Sequence, residues 1–159
     1  SSNIREAIGD YYGESESLNN LGVMLRNAER FKEADEKFTK VISMRQRLQD
    51  HNGLAAALMN LGVSKVRQGK VQEGIYLMQK AKDEADAIKS NKWLLQIFTN
   101  LKEAESSRGN YRQALEYADL ESQIRKELFK KEKADEVARL QVKYETAKKE
   151  KELVVAQAK

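Results

Sequence analysis

The sequence predicts an all-α stack of helical hairpins followed by a long C-terminal helix, and three observations predict it. The run Leu18-Asn19-Asn20-Leu21-Gly22 returns as Leu58-Met59-Asn60-Leu61-Gly62 and again as Phe98-Thr99-Asn100-Leu101-Lys102, at a constant 40-residue interval without gaps. A fixed period in this range is the signature of a stacked-repeat architecture, in which each unit covers its neighbour's apolar face. Apolar residues then recur by three and four, at Leu18, Leu21, Leu25 and Ala28 and, after a turn, at Phe31, Ala34, Phe38 and Val41. That spacing lines one face of each of two helices. The chain also holds no proline, and 34% of it is charged against 7% aromatic, which is the composition of a mostly helical protein.

In order along the chain, residues 1–13 come first. Shifted by 40 they overlay the end of the second helix of a hairpin, with Gly13 on Gly53. They are expected to be the tail helix of a preceding repeat or an N-terminal cap. Three hairpins fill residues 14–133, at roughly 14–28 with 31–49, 53–68 with 71–90, and 93–108 with 111–130. Gly69 and Gly109 close the first helix of the second and third hairpins, where glycine readily takes the left-handed conformation. Asn52-Gly53 and Ser90-Asn91 are expected to turn between hairpins. Gly22 and Gly62 lie inside helices at a cost of about 1 kcal/mol each, which predicts a neighbouring helix close against them. Residues 134–159 form a long charged helix.

These residues carry a family resemblance. Leu18-x-x-Leu21-Gly22-x-x-Leu25 followed by Ala34-x-x-x-Phe38 resembles the tetratricopeptide repeat, with its paired small and large positions. Copy two keeps Leu58, Leu61 and Gly62 but has Lys65 and Gly74 in the Leu25 and Ala34 columns. Copy three has Lys102 in the glycine column, and the closing proline of the family is absent. The resemblance covers about residues 15–133 and implies a right-handed superhelical solenoid of hairpins with a protein- or peptide-binding groove.

Composition excludes several functions. There is no cysteine, so neither a disulfide nor a thiolate metal site exists. No run of about 20 apolar residues is present to cross a membrane, and the start shows no secretory signal pattern. Residues 1–124 carry equal numbers of basic and acidic side chains, so the net charge of +4 arises in the last 35 residues. There Lys148-Lys149-Glu150-Lys151-Glu152 interleaves both signs, unlike the one-signed stripe that nucleic acid requires. The single histidine, His51, stands in a turn without a companion base or ligand, and Asp83, Glu84 and Asp86 fall on a charged helix. With no glycine-rich phosphate loop and no ligand-spaced histidines, the expectation is no enzymatic activity, no cofactor and no metal.

The candidate partner-binding residues lie on the first helices of the hairpins, opposite the core leucines. Asn20, Asn60 and Asn100 occupy one column and would make a ladder, whose amides both donate to and accept from a peptide backbone. The ladder resembles the asparagines of peptide grooves in tetratricopeptide adaptors, including kinesin light chains. The alternative is that these asparagines cap or bridge neighbouring helices. Arg26, Asn27, Arg67 and Glu103 add charge and hydrogen bonding, with the arginines suited to an acidic or C-terminal group. Met59, Val63 and Val66 are expected to form an exposed apolar strip, a mark of partner surfaces.

In the tail, Val137, Leu140, Tyr144, Ala147, Lys151, Val154 and Ala158 alternate by three and four in a short heptad seam. Val137, Leu140, Tyr144, Ala147 and Val154 are therefore candidates for self-association, as a coiled-coil stalk and homodimer contact. A capping helix packed on residues 111–130 is the alternative. Phe129 to Leu140, followed by Lys143-Tyr144-Glu145 and Lys148 to Glu152, resembles the exit helix of membrane-anchored bacterial sensors of the histidine kinase type. That resemblance implies an extracytoplasmic sensory array, with any membrane segment lying outside this chain. A soluble cytoplasmic scaffold or adaptor is the alternative.

Overall fold

A computed structural model describes residues 2–158; Ser1 and Lys159, the outermost residues of the two expected terminal segments, lie outside the described residues. The described residues form six helices and no strand: α1 (Ser2–Asn27), α2 (Phe31–Arg47), α3 (His51–Arg67), α4 (Val71–Ala87), α5 (Asn91–Ser107) and α6 (Tyr111–Ala158). The chain divides into one compact unit ending at Glu121 and a second beginning at Ser122.

Each turn in the first unit is three residues long and closes in the same way. In the first, Glu29 takes a positive φ of 61°, the Arg30 amide donates to the Leu25 carbonyl at 2.9 Å, and Glu29 donates to Arg26. This pair of backward bonds is the left-handed helix closure that glycine favours. Gly69 and Gly109 supply it at φ 83° and 79°, as the sequence predicts. Gln49 and Lys89 supply it between hairpins, at φ 52° and 50°, and no glycine marks them. The turns expected at Asn52-Gly53 and Ser90-Asn91 fall slightly earlier: Asn52 and Gly53 lie in the first turn of α3, whereas Ser90 is the last residue of its turn and Asn91 opens α5. Asp50 accepts from the Gly53 amide and Ser90 from the Trp93 amide, so each acts as an N-cap.

The N-terminal segment also differs from expectation. No turn separates residues 1–13 from the first hairpin: α1 continues through Gly9 and Gly13. Nothing lies within 4 Å of a Cβ built on either glycine, and neither takes the positive φ that would end the helix.

Packing follows the repeat. Phe38, Met78, Ile97, Leu101 and Val41 are fully buried. A Cβ built on Gly22 would meet the Phe38 ring at 2.6 Å, and one on Gly62 would meet Met78 at 2.7 Å, so both helical glycines admit a close neighbour. Where copy three replaces the glycine, Lys102 pairs with Glu121 at 2.6 Å, and Glu121 stands in the column of Val41 and Ala81. Phe98 and Tyr117 stack with centroids 6.0 Å apart. Leu21 departs from its copies: it is 41% exposed, whereas Leu61 is 7% exposed and packs on Leu25, Ala34 and Phe38 of the preceding hairpin. No described hairpin precedes α1 to do the same for Leu21, and Ala28 is exposed likewise.

Within this unit the first helices touch one another, α1 with α3 and α3 with α5, while the second helices α2 and α4 do not. The first helices therefore form the inner layer of the stack. The second unit is a helix whose side chains from Phe129 to Ala158 are all exposed, including Val137, Leu140, Tyr144, Ala147 and Val154.

Candidate partner-binding face

The inner layer presents one face of α1, α3 and α5. Residues 19, 20, 23, 26 and 27 and, apart from Met59, their 40-residue equivalents reach it because positions three and four apart share a helical face. Between α1 and α3 this face is crossed by hydrogen bonds. Arg26 Nη1 donates to Asn60 Oδ1 at 3.2 Å and to the Asn60 carbonyl at 3.3 Å. Asn60 Nδ2 donates to Asn19 Oδ1 at 3.2 Å. In the opposite direction, Arg67 Nη1 donates to Asn27 Oδ1 at 3.2 Å. Arginine thus meets amide twice, once each way across the pair.

Several cations of the unit sit against a carboxylate, whereas the half-buried Arg26 and the exposed Arg67 do not. Arg45 pairs with Asp50, Lys65 with Asp35, Lys102 with Glu121 and Arg108 with Glu105. Among the described residues, neither Arg26 nor Arg67 has a carboxylate within 4.0 Å. Arg26 is half-buried, its guanidinium carbon 5.9 Å from the Phe38 ring centroid. Its Nε is buried without an acceptor. Burial, and then the charge of Arg67, hold Arg26 below its ordinary pKa, since both disfavour the charged form.

Beside this network lies a pocket of about 260 Å³ lined by Val63, Val66, Arg67, Met78, Asn100, Glu103, Ala104 and Ser107. It has an apolar wall from α3 and α4 and a polar rim from Arg67, Asn100 and Glu103. This is the usual chemistry of a recognition pocket, with few polar groups placed on apolar surroundings.

The sequence-predicted residues are distributed unevenly. Val63, Val66, Arg67, Asn100 and Glu103 come together around the pocket, and Arg26, Asn27 and Asn60 in the adjoining network. Met59 does not contribute: it is 6% exposed, turned into the packing of α3, so the apolar strip reduces to two half-buried valines. The asparagine ladder is not uniform either. Asn60 bridges two hairpins, Asn100 Nδ2 donates to the Gln96 carbonyl of its own helix at 2.9 Å, and Asn20 is exposed. Ser107, which shares the column of Asn27 and Arg67 on this face, also lines the pocket, and Met78 reaches it from α4 without having been singled out from sequence.

Other sequence features lie elsewhere. His51 Nδ1 stands 2.5 Å from Glu84 Oε2 at the start of α3, and Asp86 pairs with Lys82. Among the described residues no three His, Cys, Asp or Glu side chains are placed to hold a metal, and no helix is long and apolar enough to cross a membrane.

Comparison with known proteins adds to this geometry. Residues 15–48 match the family model of the tetratricopeptide repeat. That match covers the first hairpin. Among solved structures, the chain superposes on the tetratricopeptide-repeat domain of Arabidopsis FLU with a TM-score of 0.66 at 19% identity, covering 70% of this chain and 93% of that one. It superposes on BtubC (BKLC) from P. vanneervenii with a TM-score of 0.67 at 21% identity, covering 72% of this chain. The match spans 47% of the BtubC chain, about half its length. No curated protein matches the chain. At these identities the structures speak for the fold, a tetratricopeptide-type helical solenoid. Tetratricopeptide repeats are in general non-catalytic interaction modules, a class that suggests protein or peptide partners.

Proposed function

We propose that the tetratricopeptide unit binds an extended peptide, or an extended segment of a partner protein, along the inner face of α1, α3 and α5. The observation that carries this reading is the pocket at Val63, Val66, Arg67, Asn100 and Glu103. It is an apolar recess with polar groups on its rim, on the layer where the first helices converge. A bound backbone would meet the amides of Asn20 and Asn100, and an apolar side chain would enter between the valines.

Selection of peptides from a random pool on the full chain, followed by affinity measurement, tests the reading. Peptides selected on the unaltered chain are expected to bind the Asn100→Ala and Glu103→Lys forms about tenfold more weakly. Equal binding to both forms, or no selection at all, removes this face as the site.

The biological context we infer is the sensory or interaction region of a membrane-anchored bacterial signalling protein of the histidine kinase type, with the long C-terminal helix as a stalk. Its supports are the resemblance of the Lys/Glu-laced tail and the exposure of Val137, Leu140, Tyr144 and Val154, an unburied seam that pairing would cover. A soluble scaffold is equally compatible with the fold. Light scattering on the full chain and on its Leu140→Glu/Tyr144→Glu form separates the two. A dimer that the substitutions dissociate supports the stalk, and a monomer in both forms removes it.

A further inference from the structure

We propose that Gly9 and Asp10 form a hinge at which residues 2–8 swing from the continuous α1 to an arm folded back along its first turns. The inference is independent of the peptide-binding reading. Its basis is the 40-residue register, applied to the turn between the first two hairpins. That turn holds Gln49 in the left-handed region at φ 52° and Asp50 as the N-cap, accepting from the Gly53 amide at 3.0 Å. Gly9, Asp10 and Gly13 stand in the same three columns. Glycine suits the left-handed position better than glutamine does, and Asp10 repeats the capping residue. Ile4 and Ile8 repeat the apolar columns of Met44 and Leu48, and Arg5 repeats Arg45.

Arg5 and Asp10 carry the argument furthest. Arg45 pairs with Asp50 at 2.5 Å because the chain reverses between them, the Asp50 amide donating to the Arg45 carbonyl at 3.0 Å. On a straight helix two residues at that separation point about 140° apart. Neither Arg5 nor Asp10 has an ion-pair partner among the described residues. The pair is encoded, and it forms only when the chain turns at Gly9. A later position in the register gives the contrast. Phe129 and Lys130 stand in the columns of Gly9 and Asp10 and offer neither a left-handed residue nor a cap, and α6 runs through them.

The two positions of the arm are closely balanced. Residues 2–10 are all exposed in the continuous helix, with Ile4 at 61% and Ile8 at 45%, so little but their own backbone bonds holds them. Glycine at positions 9 and 13 weakens those bonds further. Folding back replaces them by the turn closure, the cap and the Arg5–Asp10 pair, and it covers apolar surface: Met44, in the column of Ile4, is 4% exposed. That cover is partial, since α2 packs between α1 and α3, whereas the arm would have α1 alone among the described residues. The straight position presents Ile4 and Ile8 and the folded one withdraws them, so a partner that takes them selects between the two.

The full chain has no cysteine, so spin labels at Asn3→Cys and Glu16→Cys report a single distance. On the continuous helix the two positions are about 20 Å apart, from a rise of about 1.5 Å per residue. With the arm folded back they are about 10 Å apart, the spacing of packed helices. Both populations are expected. Gly9→Ala should lower the ratio of short to long about tenfold, because alanine resists the left-handed region and favours the helix. Asp10→Ala should lower it too. Tyr11→Pro bars the continuous helix yet suits the first position after a cap, so the short distance should be the only one left. A long distance alone in the unaltered background, or a short one that Gly9→Ala leaves unchanged, would overturn the hinge. So would a broad spread of distances in Tyr11→Pro, the mark of an arm freed without a place to dock.

Discussion

Gly62 and Gly74 face each other across α3 and α4 so closely that a Cβ built on Gly62 would stand 2.9 Å from the Gly74 carbonyl oxygen. One built on Gly74 would stand 2.5 Å from that of Gly62. Copy one achieves its contact at the same place with Gly22 under the Phe38 ring. In copy two the approach is backbone to backbone, which explains why Gly74 replaces the small side chain of Ala34. Such contacts cannot be relieved by turning a side chain.

Gly62→Ala and Gly74→Ala are therefore expected to destabilise the first unit by about 1–3 kcal/mol each, as overpacking does. Gly9→Ala and Gly13→Ala, which meet nothing within 4 Å, are expected to stabilise α1 by up to about 1 kcal/mol. Urea unfolding followed by Trp93 fluorescence and by helicity gives both signs in one set of variants. Equal effects at all four positions would contradict the packing described.

Leu21 and Leu61 occupy one sequence column but different environments. Leu61→Ala is expected to cost about 2–5 kcal/mol, because it opens a cavity between hairpins. Leu21→Ala should cost well under half of that, since Leu21 is already partly in water. Thermal or urea unfolding of the two variants decides it.

Asp35 joins hairpins one and two by accepting from Ser64 Oγ at 2.7 Å and Gln68 Nε2 at 2.8 Å and by pairing with Lys65 at 3.0 Å. Burial opposes its charge, yet the hydrogen bonds from Ser64, Gln68 and Lys65 prevail and hold its pKa below the ordinary value. A carboxylate lowered in the folded state contributes stability above its unfolded pKa, about 3.9. That contribution is lost as the pH falls through the folded value. The urea midpoint is thus expected to fall on acidification below about pH 4, and to fall less in Asp35→Asn. At neutral pH that substitution should cost about 1–3 kcal/mol. Lys65 shows the opposite sign: Asp35 raises its pKa, so its contribution is lost only as the pH rises through that raised value.

The turns allow a backbone test. Lys89 takes φ 50° without being glycine, and Lys89→Gly is expected to gain about 0.5 kcal/mol, relief of the left-handed strain outweighing the added freedom of the unfolded chain. Gly69→Ala should lose about 1 kcal/mol by the converse. Melting temperatures of the two single variants should move in opposite directions.

Much of the fold was legible in the sequence. The 40-residue register placed the hairpins, Gly69 and Gly109 marked two turns, and the spacing of Ala34, Phe38 and Val41 identified one buried face. The turns at Gln49 and Lys89 were not legible, because backbone hydrogen bonding can hold an ordinary residue in the left-handed region without a glycine to announce it. That α1 runs unbroken through Gly13 was not legible for the reciprocal reason: glycine permits a helix end but does not compel one.

The candidate face divides in the same way. Its membership followed from helical periodicity, which determines the residues that share a side. Periodicity says nothing of what a neighbouring helix offers at the same height. Only the tertiary structure therefore decided that Met59 is buried, that Asn60 bridges α1 and α3, and that Arg26 and Arg67 stand without a carboxylate. The sequence by itself determined a helical array of repeats, because a repeated apolar spacing has few ways to be buried. Which polar groups are satisfied depends on distances between helices, and those are set by packing.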